Sequence, residues 1–327
     1  MRLSRFLILL IMFGLSGVAE AQQPGKIFRI GFLDPSTASG SAGQLETFRQ
    51  EMRRLGWIEG KNFTIEYRFA ENKGAERLPE LAAELVRLSV DLIVTTGDGP
   101  TLAAKKATTI IPIVMTTSSD PVAQGFVASL ARPGGNVTGL SSLGADLNTK
   151  RLEILRDAIP KLARVGLLQS PGSVTSDLQL KELRPAAVAL KLNLEEIDTQ
   201  PNAEGIESAF QIAKQKQVSA IMTVAIRSFR AEGKRIVELA GKYRLPAIYF
   251  DKEFVDEGGL MSYGVDYVEL NRRAAGYVDK ILKGAKPADL PVQQATKFEF
   301  VINLKAAKQI DLIIPVDLLQ RANKVIK

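Results

Sequence analysis

The 327-residue chain contains no cysteine and no histidine. Without cysteine there is no disulfide to brace the fold and no thiolate to act as nucleophile or ligand. Without histidine, the usual serine hydrolase arrangement and most zinc sites are excluded. No metal and no cofactor are expected, and any enzyme here would have to work with carboxylates or lysine. Nucleotide cradles are missing as well. The glycines of Ser39-Gly40-Ser41-Ala42-Gly43 lie too far from the first strand for G-x-G-x-x-G, no Walker pattern occurs, and Gly60-Lys61 sits in a turn before a strand. The formal charge is +7, but the basic residues are scattered through mixed-sign helices. Nucleic acid is therefore not an expected partner.

Apolar runs long enough to span a bilayer are also lacking. The longest feature of that kind, Phe6 to Leu15, is well short of the ~20 residues a membrane helix needs. Arg2 and Arg5 precede it, and Ala19-Glu20-Ala21 follows as a small-x-small cleavage site. This is the layout of a secretory signal cleaved after Ala21. It places the mature protein in the periplasm, and without a cysteine to carry lipid it is expected to be soluble there. The mature chain is long enough for two domains or one large one, resting on its hydrophobic core alone.

What remains is a regular alternation. Short apolar segments at Lys26–Leu33, Phe63–Phe69, Asp91–Thr95 and Ile111–Met115 read as strands. Helical spacing appears between them, as in Leu45, Phe48, Met52 and Leu55, with Gly56 as a C-terminal cap. A further helix is expected from Pro121 to Leu130. The rhythm restarts after the Gly/Asn/Ser-rich stretch 134–142, with strands at 164–168, 192–198, 220–224, 247–250 and 260–263 and a helix at 230–240. Asp266 to Leu282 is a strong helix, with Asp266 and Glu269 at capping-box spacing. The expectation is an α/β protein of two lobes, each with a parallel sheet and helices on both faces, joined by a hinge. Residues 22–140 plus 265–327 are assigned to the first lobe and 141–264 to the second. Chain crossings are expected near 138–143, 263–266 and 290–298.

Ligands in open α/β sheets bind beyond the carboxyl ends of the strands. In the first lobe that rule selects Asp34 with Ser39, Gly40 and Ser41; Thr96, Gly97 and Asp98; and Thr117, Ser118 and Asp120. Backbone N–H groups at helix starts can grip a carboxylate, and Asp34, Asp98 or Asp120 can receive an ammonium. Asp120 and Ser41 also read as ordinary helix N-caps. In the second lobe the rule selects Gln169 and Ser173, Arg227 and Phe229, and Phe250. Arg227 suits a carboxylate; Phe229 and Phe250 are read either as pocket walls or as core.

Several ordered stretches carry a resemblance: FRQEMRRLGWIEGKNFTIEYRFA (48–70), ERLPELAAELVRLSVDLIVTTG (76–97), IPIVMTTSSDPVAQGFVASLARPGGNVTG (111–139), RLPAIYFDKEFVDEGGLMSYG (244–264), RRAAGYVDKILKGAKPADLPVQQATKFEFVINLKAAKQIDLIIP (272–315) and LLQRANKVI (318–326). On these the chain resembles the ABC transporter substrate-binding proteins that include tryptophan- and tyrosine-binding homologues. The resemblance implies a two-lobed periplasmic-binding-protein fold of type I, LacI-like. It implies a small solute, such as an amino acid or small carboxylate, held in the interlobe cleft, and closure about a hinge. Delivery to an inner-membrane permease with its ATPase, by a monomeric non-enzymatic carrier, follows. It also implies ligand contacts from the loops 36–41, 96–99 and 117–120, and from 169–173 and 227–229 in the facing lobe. Two alternatives use the same residues: a secreted enzyme built on Asp34, Asp98 or Asp120, and a solute sensor docking on a membrane receptor.

Overall fold

Residues 26–71 and 75–327 are described by the structure, a computed structural model. The expected signal segment lies outside them. Five strands open the first sheet: β1 (Phe28–Asp34), β2 (Phe63–Phe69), β3 (Leu92–Thr96), β4 (Ile113–Thr117) and β5 (Val137–Ser141). They pair in the order β2-β1-β3-β4-β5, all parallel. Helices α1 (Ala38–Arg54), α2 (Leu78–Arg87) and α3 (Asp98–Ala107) make the crossovers. Alternate residues of β1 enter two different cores. Ile30 and Phe32 join Phe48 and Met52 of α1, while Leu33 joins Leu81 and Leu85 of α2. Period-2 alternation between two apolar faces is the signature of a strand covered on both sides. Gly31 lets α2 settle close, since a Cβ there would meet the Leu85 side chain at 3.0 Å.

The second sheet repeats this plan. Its strands are β6 (Arg164–Gln169), β7 (Asn193–Asp198), β8 (Ala220–Thr223), β9 (Ala247–Tyr249) and β10 (Met261–Val265), in the order β7-β6-β8-β9-β10. Around it run α4 (Gly144–Ala158), α5 (Val174–Ala189), α6 (Ala203–Gln215), α7 (Arg227–Ala231), α8 (Gly233–Lys242) and α9 (Glu253–Asp256). Both sheets reverse strand order beside their first strand, which opens a crevice at the carboxyl ends. α10 (Tyr267–Leu282) then returns to the first lobe. Leu270, Ala274 and Val278 pack in the core of β1 and α1, and the Trp57 indole N–H donates to Asp279 at 2.9 Å. Asp266 accepts from the Glu269 backbone N–H at 3.0 Å, as the capping-box spacing requires.

The tail departs from expectation. Only β11 (Gln293–Gln294) joins the first sheet, beside β5. β12 (Phe298–Asn303) pairs antiparallel with β10, and α11 (Leu304–Gln309), α12 (Val316–Arg321) and β13 (Lys324–Ile326) follow it into the second lobe. Residues 298–327 therefore leave the first lobe to which 265–327 had been assigned. Phe300, Ile302, Ala306, Ile314 and Leu318 all enter the second core, so the apolar face of β12 is covered only there. The chain passes between sheets after β5, after β10 and after β11.

Three helix expectations are also corrected. α1 begins at Ala38, because Thr37 rather than Ser41 caps it, accepting from the Gly40 N–H at 3.1 Å. Residues 121–130 form turns instead of a helix. Gly125 takes φ +66° there, a left-handed conformation that interrupts helical propagation. The expected helix 230–240 is divided into α7 and α8 at Glu232.

Candidate functional site

A cavity of about 860 Å³ lies between the lobes, within the size range of small-molecule sites. Its first-lobe wall comes from the ends of β3 and β4. Thr96, Gly97 and Asp98 lead into α3, and Thr117, Ser118 and Ser119 follow β4. Gly97 takes φ +97°, which turns the chain sharply into α3, whose first N–H groups lack intrahelical partners; Gly97, Asp98 and Gly99 all line the cavity. The Thr96 hydroxyl is buried and has no partner among the described residues.

Asp98 is occupied structurally. Its carboxylate accepts from the Ser118 hydroxyl (2.6 Å), the Ser119 N–H (3.1 Å) and the Ser119 hydroxyl (2.5 Å), which ties the β4 loop to the start of α3. It also accepts from the Thr175 hydroxyl of the facing lobe at 3.2 Å. Asp98 thus joins the two lobes at one margin of the cleft.

A second interlobe link lies at Arg227. Its Nη2 is 3.5 Å from the Asp34 carboxylate and donates to the Gly40 carbonyl at 3.4 Å. Asp34 is fully buried and accepts from the Ser41 hydroxyl and the Ser36 N–H, both at 2.8 Å. Arg227 lines the cavity, and its Nε is buried without a partner among the described residues. The loop bearing Arg227 is fixed from behind. Gln179 brackets the Ala225 backbone, accepting from its N–H at 2.7 Å and donating to its carbonyl at 3.1 Å. Asn148 donates to Gln179 at 2.7 Å and accepts from the fully buried Arg151, whose Nε donates to the Tyr263 carbonyl at 2.6 Å. Burial pushes the Arg151 guanidinium down to about 10.

Phe250 and Tyr267 supply aromatic surface, meeting edge to face with centroids 6.5 Å apart. Asp251, Arg230 and Gln44 also reach the cavity wall. Burial pushes the Asp251 carboxyl up to about 6, against the lowering influence of Arg230 and Arg227, and pushes the Tyr267 phenol up.

The structure therefore gathers Thr96, Gly97, Asp98, Thr117, Ser118, Ser173, Arg227 and Phe250 around one cavity. It sets other candidates apart. Asp120 is exposed and caps a turn, accepting from the Val122 and Ala123 N–H groups at 3.0 and 2.9 Å. Ser39 is exposed and bonds to Thr37. Gly40 and Ser41 act through Arg227 and Asp34 rather than on the cavity wall. Gln169 is bonded to Asp198, and Phe229 is fully buried in the second core, which removes it as a pocket wall. Arg230, Tyr267, Thr175 and Gln44 were not anticipated. All four lie within helices, where spacing points to packing; only proximity to a strand end marks Arg230.

Comparison with known proteins agrees with this architecture. Residues 40–326 match the family described as ABC transporter substrate binding protein, and the chain belongs to that family. It is similar to a tyrosine-binding protein of Clostridioides difficile, 29% identical over 273 residues, covering 81% of this chain and 75% of that one. Among solved structures it is similar to a conserved domain protein from Vibrio cholerae, with TM-score 0.85, 26% identity and coverage of 92% and 100%. It is also similar to an ABC domain in complex with L-Trp from Streptococcus pneumoniae, with TM-score 0.81, 25% identity and coverage of 91% and 100%. The fold is the type I, LacI-like two-lobed binding-protein fold. The protein is an extracytoplasmic solute-binding component of an ABC transporter and acts with a membrane permease and ATPase, not as an enzyme.

Proposed function

We propose that the protein carries a small amino acid or carboxylate solute in the interlobe cavity and releases it to the permease for uptake, as a monomer. The observation that carries this reading is a pair of buried polar atoms, on opposite walls, left without partners among the described residues: the Thr96 hydroxyl and the Arg227 Nε. Buried polar groups are ordinarily paired, and those that are not call for a missing partner. A solute carboxylate accepts from both, and the free N–H groups at the start of α3 favour the same charge. Such a solute contacts both lobes at once and draws the hinge equilibrium toward the closed form. The tyrosine- and L-Trp-binding relatives favour an aromatic amino acid, and the Phe250 and Tyr267 rings offer it a surface.

Native mass spectrometry of the mature protein tests the reading. One carboxylate-bearing solute per chain, released unchanged on denaturation, is expected. Arg227→Met should weaken recapture of that compound by roughly tenfold or more, since a hydrogen bond to a charged group contributes about 1.5–3 kcal/mol. Full affinity in both Arg227→Met and Thr96→Val proteins would sink it.

A further inference from the structure

Besides the exposed Glu76, the cavity wall holds one acid that the lobe-to-lobe links do not use. Asp251 follows β9 at the carboxyl end of the second sheet, beside the hinge. Its backbone position is tightly set: a Cβ on Gly264 of β10 would lie 1.9 Å from the Phe250 carbonyl, so the two segments touch directly. Asp251 is only 4% exposed, yet it borders the cavity. One carboxylate oxygen accepts from the Glu253 N–H at 3.0 Å. The other lies 3.6 Å from Arg230 Nε, too far for a hydrogen bond. Arg230 is itself shared, pairing with Glu253 and, at 3.5 Å, with Glu257. One guanidinium thus faces three carboxylates, with Arg227 and Lys252 also near Asp251, and the second Asp251 oxygen has an ion-pair neighbour but no hydrogen bond among the described residues.

We infer that Asp251 is the specificity-determining acid of the cleft and takes a positively charged nitrogen of the solute. The inference rests on the solute-carrier reading and narrows it to solutes bearing an amine as well as a carboxylate. Hydroxyls, the α3 start and Arg227 serve the anion, while Asp251 serves the cation. Asp251 is buried, so an ammonium there meets a charge in a poorly screened place.

The same arrangement ties affinity to acidity. The groups around Asp251 are Arg227 and Arg230 from α7, Lys252 beside it, Glu253, Asp256 and Glu257 at α9, Tyr267 from α10 and Arg151 from α4. Burial outweighs the nearby cations and pushes the Asp251 carboxyl up to about 6. Below that pH the acid is mostly protonated and holds an ammonium poorly. An amine-bearing solute should bind about tenfold more tightly at pH 7 than at pH 5, following the ionised fraction.

The test is calorimetry on the full mature protein at pH 5, 6 and 7.5. The probes are the twenty L-amino acids, the des-amino acids phenylpropanoate, 4-hydroxyphenylpropanoate and indole-3-propanoate, and a set of pentoses and hexoses. An amino acid that binds, outcompetes its des-amino analogue and tightens as pH rises supports the inference. Asp251→Asn should then lose at least about tenfold in affinity and most of the pH dependence, while melting no lower at pH 7.5. Unchanged amino-acid affinity in Asp251→Asn overturns the inference and leaves the carrier reading standing. So does preferential binding of a nitrogen-free acid, whereas preferential binding of a sugar overturns the inference and the carboxylate reading together. Binding of no probe, with no solute released from the purified protein, removes both.

Discussion

Replacing Thr175 with valine removes one hydroxyl and keeps the side-chain shape. That hydroxyl donates to Asp98 across the cleft at 3.2 Å, while the three other partners of Asp98, from Ser118 and Ser119, belong to its own lobe. The variant therefore subtracts an interaction made only when the lobes are together. A hydrogen bond to a charged acceptor contributes about 1.5–3 kcal/mol net; the half-buried setting and the length of this one favour the lower figure. A loss of about 1.5 kcal/mol lowers the closed-to-open ratio about tenfold. If closure is required for binding, affinity falls by up to that factor for any solute. The melting temperature of the ligand-free protein should barely move, because no core contact changes. The assay is calorimetry with the released solute, paired with small-angle scattering of the ligand-free protein, which should become more expanded in Thr175→Val. Unaltered affinity together with an unaltered radius of gyration would refute the claim that this link biases closure.

Three further outcomes follow from the same contacts. Asp251 is pushed up to about 6 in the folded protein from an ordinary 3.8, so it favours the ligand-free fold fully below about pH 4, and that contribution is lost as pH rises through 6. The full swing is about 3 kcal/mol; urea unfolding at pH 4 and 7.5 should show Asp251→Asn gaining stability relative to the parent protein as pH rises, and an identical pH dependence in the two would contradict the argument. Gly139 takes φ +132° and a Cβ there would lie 2.2 Å from the Met115 carbonyl oxygen, so Gly139→Ala should destabilise by roughly 3 kcal/mol or more, read as a lowered denaturation midpoint. Trp57, the sole tryptophan, is clamped between Phe28 and Asp279 and does not line the cavity; its emission maximum should stay fixed on solute binding, and a clear shift would show that α1 and α10 rearrange.

The two-lobed plan was legible because most buried strands are short apolar runs with helical spacing between them; β5 (Val-Thr-Gly-Leu-Ser) is fully buried yet lies in the stretch read as a boundary. The tail was harder. Phe298–Asn303 reads as a strand in either lobe, and nothing local shows that β12 runs antiparallel to β10. Asp120 illustrates a different limit: its capping chemistry was read correctly, but a cap does not make a helix when Gly125 must turn left-handed four residues after Pro121. In the cleft, the strand-end rule found Thr96–Asp98, Thr117–Ser118 and Arg227. It also gathered Ser39 and Asp120, whose polarity serves the surface and local turns. Tyr267 and Thr175 were missed since their positions depend on how the lobes face each other, which no local pattern records.

The most direct measurement is a crystal structure of the mature protein with its solute bound. Solute density between the Thr96–Asp98 turn and Arg227, with an amine at Asp251, is the predicted result. Solute held outside the interlobe cavity, or touching one lobe alone, would contradict the account.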